Sequence, residues 1–122
     1  GDWSSDVCLP ICPDRLTMYQ LTSWAPMGCY TDVTTSRTLA NALYDGVTRR
    51  SMTTKLCQAT CSKSAYSFAG IEYGGQCYCD NQIRNTGRLA TDAVSLCNMP
   101  CSGASSETCG GPDRLTLYKL RN

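Results

Sequence analysis

The chain has 122 residues, eleven basic and ten acidic side chains for a formal charge of +1, ten cysteines and no histidine. That length suits one compact domain. The near-neutral balance, without a cluster of one sign, argues against nucleic-acid binding by phosphate steering, and the lack of histidine excludes Ser-His and Cys-His nucleophile systems. Ten cysteines in so short a chain read as a disulfide scaffold formed in an oxidising compartment. Zinc is the weaker reading, because histidine ligands are absent and the Cys77-x-Cys79 gap is too tight for a zinc knuckle. No stretch approaches the roughly eighteen apolar residues of a membrane span, and no signal core is present. The expectation is an already processed, secreted, extracellular product with no membrane insertion and no cofactor.

In chain order, residues 1–26 read as an N-terminal extension and 27–122 as the domain proper. The extension contains Pro13-Asp14-Arg15-Leu16-Thr17-Met18-Tyr19-Gln20-Leu21, which recurs as Pro112-Asp113-Arg114-Leu115-Thr116-Leu117-Tyr118-Lys119-Leu120. Each copy follows a cysteine and alternates large side chains, as a short strand after a proline turn does. Two readings stand together. The copies occupy equivalent places, at opposite edges of one sheet or across a dimer axis, or the first copy is the tail of a preceding repeat unit. Edge strands of this kind offer a route to a homodimer by sheet extension. Trp3 and Trp24 are stacking candidates, with Trp24 equally suited to docking the N-terminal segment.

Gly28 to Asp32 reads as a strand ending in a polar turn, and Leu39 to Tyr44 as a helix-compatible apolar run broken by Asp45-Gly46. Arg49-Arg50 reads as solvated charge. Ser51 to Lys63 carries hydroxyl caps and apolar groups at helical spacing, so a helix is expected, with Cys57 and Cys61 one turn apart on one face. Phe68–Tyr73 and Gln76–Asp80 flank Gly74-Gly75 and read as a hairpin, whose second strand points Cys77 and Cys79 to one face. Two matched cysteine ladders follow. The expected pairing is crossed, Cys57 with Cys79 and Cys61 with Cys77. Cys8, Cys12, Cys29, Cys97, Cys101 and Cys109 supply the remaining staples, with a connectivity the spacing leaves open.

These residues resemble the WSC domain, found in yeast wall-stress sensors, polycystins, Kremen receptors and secreted fungal proteins. The resemblance runs from about Met27 to Leu120. It is carried by Gly28-Cys29-Tyr30-Thr31-Asp32, Arg37-Thr38-Leu39, Met52-Thr53, Cys57-x3-Cys61, the run from Phe68 to Cys79, Cys97-Asn98-Met99-Pro100-Cys101-Ser102-Gly103 and Cys109-Gly110-Gly111-x2-Arg114-Leu115. Asp80 stands where glycine is expected, and Leu96 where an acidic residue is common. The resemblance implies an α+β, disulfide-rich fold of the PAN/apple type, with helices packed on a curled antiparallel sheet. It also implies a lectin-like, extracellular glycan binder, with fungal-wall β-glucan or N-acetylhexosamine-containing glycans as ligands.

A sugar site needs planar hydrogen-bonding groups and a flat ring for the apolar face of a pyranose. With the hairpin cysteines turned to the helix, the opposite face offers Gln76, Tyr78, Asp80, Glu72 and Phe68. The expected carbohydrate-binding residues are Glu72, Tyr78, Asp80, Asn81, Asn98 and Tyr30, each set against the plainer reading that tyrosines cover a sheet and carboxylates cap turns. For catalysis, Glu72 and Asp80 are the one carboxylate pair to nominate for glycosidic chemistry, and nothing in the sequence indicates a deep cleft. The expectation is binding without catalysis. The alternative is an extracellular protein-interaction module of the sensor or receptor kind, for which a neighbouring transmembrane or catalytic region is the expected companion.

Overall fold

A computed structural model describes residues 23–85, 87–91 and 96–121. Its elements are β1 (Ser23–Thr31), β2 (Asn41–Ala42), a 3-10 turn (Thr48–Arg50), α1 (Thr54–Lys63), β3 (Phe68–Glu72), β4 (Gln76–Asp80), β5 (Pro100–Cys101), β6 (Ala104–Thr108) and β7 (Arg114–Arg121). The molecule is a small, sheet-dominated, disulfide-rich α+β domain. No helix among the described residues is long and apolar enough to cross a membrane.

The main sheet is antiparallel with strand order β1-β7-β3-β4-β2. The second copy of the repeated motif is therefore not an edge strand. β7 is bonded to β1 over Arg114–Arg121 and to β3 over Leu115–Lys119. Its Pro112 lies in the turn before the strand, which leaves the N–H groups of the strand free for both ladders. Pro26 instead sits in β1, an edge strand, where a missing donor is tolerated. The first copy, residues 13–21, lies outside the described residues, as do Trp3, Cys8 and Cys12.

Thr53 caps α1 by accepting the Leu56 N–H at 3.0 Å. The Leu39–Tyr44 run does not form the helix its apolar content allowed. Its amides are spent sideways, with Leu43 N–H donating to the Cys77 carbonyl and Ala40 N–H to Asp80 Oδ2, so only the short strand β2 forms.

Among the described residues, four disulfides join Cys29–Cys97, Cys57–Cys77, Cys61–Cys79 and Cys101–Cys109. The helix and hairpin cysteines do face one another, but the crossed pairing is wrong. α1 turns back into β3 over four residues, so β3 runs against the helix and β4 runs along it. One helical turn and two strand residues both advance about 6 Å, so Cys57 meets Cys77 and Cys61 meets Cys79 in register.

Both faces of the sheet are buried. On the α1 side, Ala69 and Ile71 pack with the four ladder cysteines, Met52, Cys101 and Cys109. On the other side, Leu39, Tyr78, Leu115 and Leu117 form a second core, flanked by Tyr30, Phe68 and Ile83. Gly70 makes this core fit, because a Cβ there would meet Leu39 Cδ1 at 3.0 Å and Leu115 Cδ2 at 3.1 Å.

Candidate functional site

The face expected to lie open to a ligand is thus closed by the loop that carries Leu39. Tyr78, Glu72 and Asp80 are 5%, 4% and 2% exposed. The physical reason is the apolar content of that face: Leu115 and Leu117 on β7 demand a cover as much as Ile71 does on the other side. Asp80 is saturated. It accepts from the Ala40 and Asn81 amides and from Arg84 Nε and Nη2, and although burial pushes the other way, these bonds hold its carboxyl below the usual range. Its side chain fastens the segments either side of the sheet. Asn81 is exposed but accepts from the Ser67 amide and hydroxyl, which braces the entry to β3. Asn98 is exposed, and Tyr30 is half-buried against the second core.

Glu72 belongs to a different arrangement. At the end of the sheet where β3 turns into β4, a shallow depression of ≈ 300 Å³ is lined by Thr34, Arg37, Glu72, Tyr73, Gln76, Pro112 and Asp113. Arg37 organises its floor. Nη1 donates to Asp32 Oδ2 at 2.5 Å and to Glu72 Oε1 at 2.9 Å, and the guanidinium lies 4.8 Å from the centre of the Tyr78 ring. The Tyr78 hydroxyl donates to Gln76 Oε1 at 3.4 Å, and its ring meets Tyr44 edge-on at 5.8 Å. Asp32 Oδ1 is taken by the Thr38 amide. Burial first, then the hydrogen bond and charge of Asp32, push the Glu72 carboxyl up to about 9 against the pull of Arg37. At neutral pH the Glu72 carboxyl therefore keeps its proton.

Above this polar floor stands Tyr73, 56% exposed. It occupies the β3–β4 turn with φ 52°, a region that side-chain-bearing residues rarely adopt. The turn is held from behind: Gly74 N–H donates to the Cys109 carbonyl, Ser102 N–H donates to the Gly74 carbonyl, and a Cβ on Gly75 would lie 2.1 Å from the Arg49 carbonyl oxygen. Asp113 at the opposite rim also has positive φ, 55°. Sequence reasoning missed Tyr73, Arg37 and Asp113 as a group. The available signal was a tyrosine beside the Gly74-Gly75 turn, whose side chain leaves the pleat instead of packing on it.

A family model described as "WSC domain" matches residues 26–111. The chain belongs to the WSC domain family. WSC domains are in general carbohydrate-binding modules. Two WSC domain-containing proteins of Arthroderma benhamiae are 45% identical over 97 residues, 80% of this chain and 10% of theirs, and 39% identical over 115 residues, 94% of this chain and 15% of theirs. The xylosyltransferase oxt of Drosophila pseudoobscura pseudoobscura is 32% identical over 93 residues, 76% of this chain and 10% of that protein. The chain spans between a tenth and about half the length of the relatives it matches. In this WSC domain the matched region includes the four disulfides, Arg37 and the Tyr73 turn.

Proposed function

We propose that this WSC domain is an extracellular lectin that binds carbohydrate at the depression under Tyr73 and does not transform it. The observation that carries the reading is the pairing of one exposed ring on a braced turn with a rim of amide, hydroxyl and carboxyl groups. Tyr73 offers a flat surface to the apolar face of a pyranose, while Gln76, Thr34 and Asp113 offer donors and acceptors for its hydroxyls. A shallow site with preset polar groups binds a chain laid across it rather than a small molecule enclosed by it. β-Glucan of the fungal wall and N-acetylhexosamine-containing glycans are the ligand classes to test first.

Binding without catalysis is supported by the placement of the acids. Glu72 and Asp80 lie at opposite ends of the β3–β4 hairpin, paired with Gln76 and Phe68 respectively, about 13 Å apart at ~3.4 Å per residue, farther than the roughly 5 to 9.5 Å that glycosidic cleavage uses. Asp32 and Glu72 are close, but both are locked on Arg37. Secretion is supported by four disulfides, which persist in oxidising compartments. The helix clamped by two disulfides onto an antiparallel sheet supports the kinship with PAN/apple modules.

The test is a glycan array run beside pull-downs on insoluble β-1,3-glucan, chitin and xylan, with the native chain and Tyr73→Ala. The native chain is expected to bind at least one of them. Tyr73→Ala is expected to lose about 1 to 2 kcal/mol, roughly five- to thirty-fold in affinity, with its melting temperature unchanged. No binding in any format favours the protein-interaction module instead. Full binding by Tyr73→Ala puts the site elsewhere.

A further inference from the structure

Trp24 is left unused by the Tyr73 site, and it lies at the far end of the same central strand. β7 pairs its Leu115 with Glu72 and its Leu120 with Trp24, a separation of roughly 17 Å at ~3.4 Å per residue. There a groove of ≈ 290 Å³ is lined by Trp24, Lys55, Gln58, Ala59 and Ser62. The four helical residues share the face of α1 opposite Cys57 and Cys61. Because both cysteines are tied to β4, that face is held outward. The indole is half-buried against the first core, so it too is anchored.

The charge of this end differs from that of the Tyr73 end. Asp32, Glu72 and Asp113 gather at the Tyr73 depression, whereas no carboxylate among the described residues lines the Trp24 groove. Lys55 lies in its wall and makes no ion pair among the described residues. Lys63 follows Ser62 and is exposed, and Arg121 Nη1 donates to the hydroxyl of Ser23, next to Trp24. The acid adjoining α1, Glu107, accepts from the Thr54 amide and hydroxyl and so is engaged at the start of the helix.

We propose that this groove is a second glycan site, distinct from the Tyr73 depression, and that it takes an acidic, uronate-bearing sugar chain. The indole supplies the plate for a pyranose face, Gln58 and Ser62 the hydroxyl contacts, and Lys55 with its neighbouring cations the countercharge for the carboxylate. The two sites make one small domain bivalent, able to hold two different wall polysaccharides or two stretches of a mixed one.

Oligogalacturonate binding by the full chain, followed by calorimetry, tests this. The native chain is expected to bind, with affinity falling as salt rises. Lys55→Glu is expected to weaken binding about tenfold or more, and Arg50→Glu, the same charge change on the exposed 3-10 turn, to weaken it far less. Tyr73→Ala is expected to leave it intact. The proposal is overturned if the native chain does not bind. It is overturned equally if Arg50→Glu weakens binding as much as Lys55→Glu, since the attraction is then diffuse charge. If Tyr73→Ala abolishes binding, there is a single site. Failure of every neutral glycan with retention of oligogalacturonate would sink the Tyr73 reading and leave this one standing.

Discussion

Glu72 lies on the covered side of β3 beside Asp32, under Arg37, with Tyr78 and Asp113 as its other neighbours with ionisable groups. Its carboxyl titrates near 9 in the fold and near 4.5 when unperturbed. Folding therefore retains a proton that the unfolded chain releases. The stabilisation is complete below about pH 4.5 and is lost as pH rises from there to about 9. Glu72→Gln keeps the acceptor for Arg37 and a donor toward Asp32 without the ionisation. Its melting temperature is expected to fall less than the native one between pH 5 and 9 when followed by circular dichroism; parallel profiles would refute the proton retained on Glu72. Asp80 acts with the opposite sign. Held below its ordinary value of 3.8, it contributes stability above that pH that disappears as acid protonates it. Its residue type was legible as polar and near the hairpin, but its task was not. Whether a carboxylate meets a sugar or an arginine four residues along depends on what covers it, and the cover comes from the segment around Ala40.

The segment from Leu39 to Tyr44 is the element that its helix-compatible apolar content misrepresented. Its Leu39 is fully buried between β3 and β7 and plugs the second core. Leu39→Ala should cost about 2 to 5 kcal/mol in urea unfolding. A loss below about 1 kcal/mol would mean that the loop merely rests on the sheet. The hairpin and α1 were legible because each announces itself locally, through Gly74-Gly75, the Thr53 cap and the alternating cysteines. The sense of the disulfide ladder was also within reach. A helix joined to a hairpin by a short turn must run along the second strand, and this constraint outweighs any pattern within the ladders themselves.

Across the whole molecule, the disulfides divide the work unequally. Cys29–Cys97 closes a separation of 68 residues and ties β1 to the far half of the chain, whereas Cys101–Cys109 closes eight. On the chain-entropy account these constrain the unfolded state by about 4 and about 2.5 kcal/mol respectively. Removing Cys29 and Cys97 together as serines should lower the urea midpoint more than removing Cys101 and Cys109. The reverse order would show that the β5–β6 hairpin, which braces the Tyr73 turn, holds more stability than its loop length implies. What the sequence by itself determined is the class of molecule: cysteine spacing, hairpin glycines and helix cap are short-range features, and they identify a stapled WSC domain. Only the tertiary structure decided which face meets solvent. Periodicity assigns side chains to two sides of a strand but says nothing of what lies on them, and here loop and helix cover both. The residues proposed to meet ligand therefore lie at the ends of the sheet, where Tyr73 leaves its turn and Trp24 lies against α1.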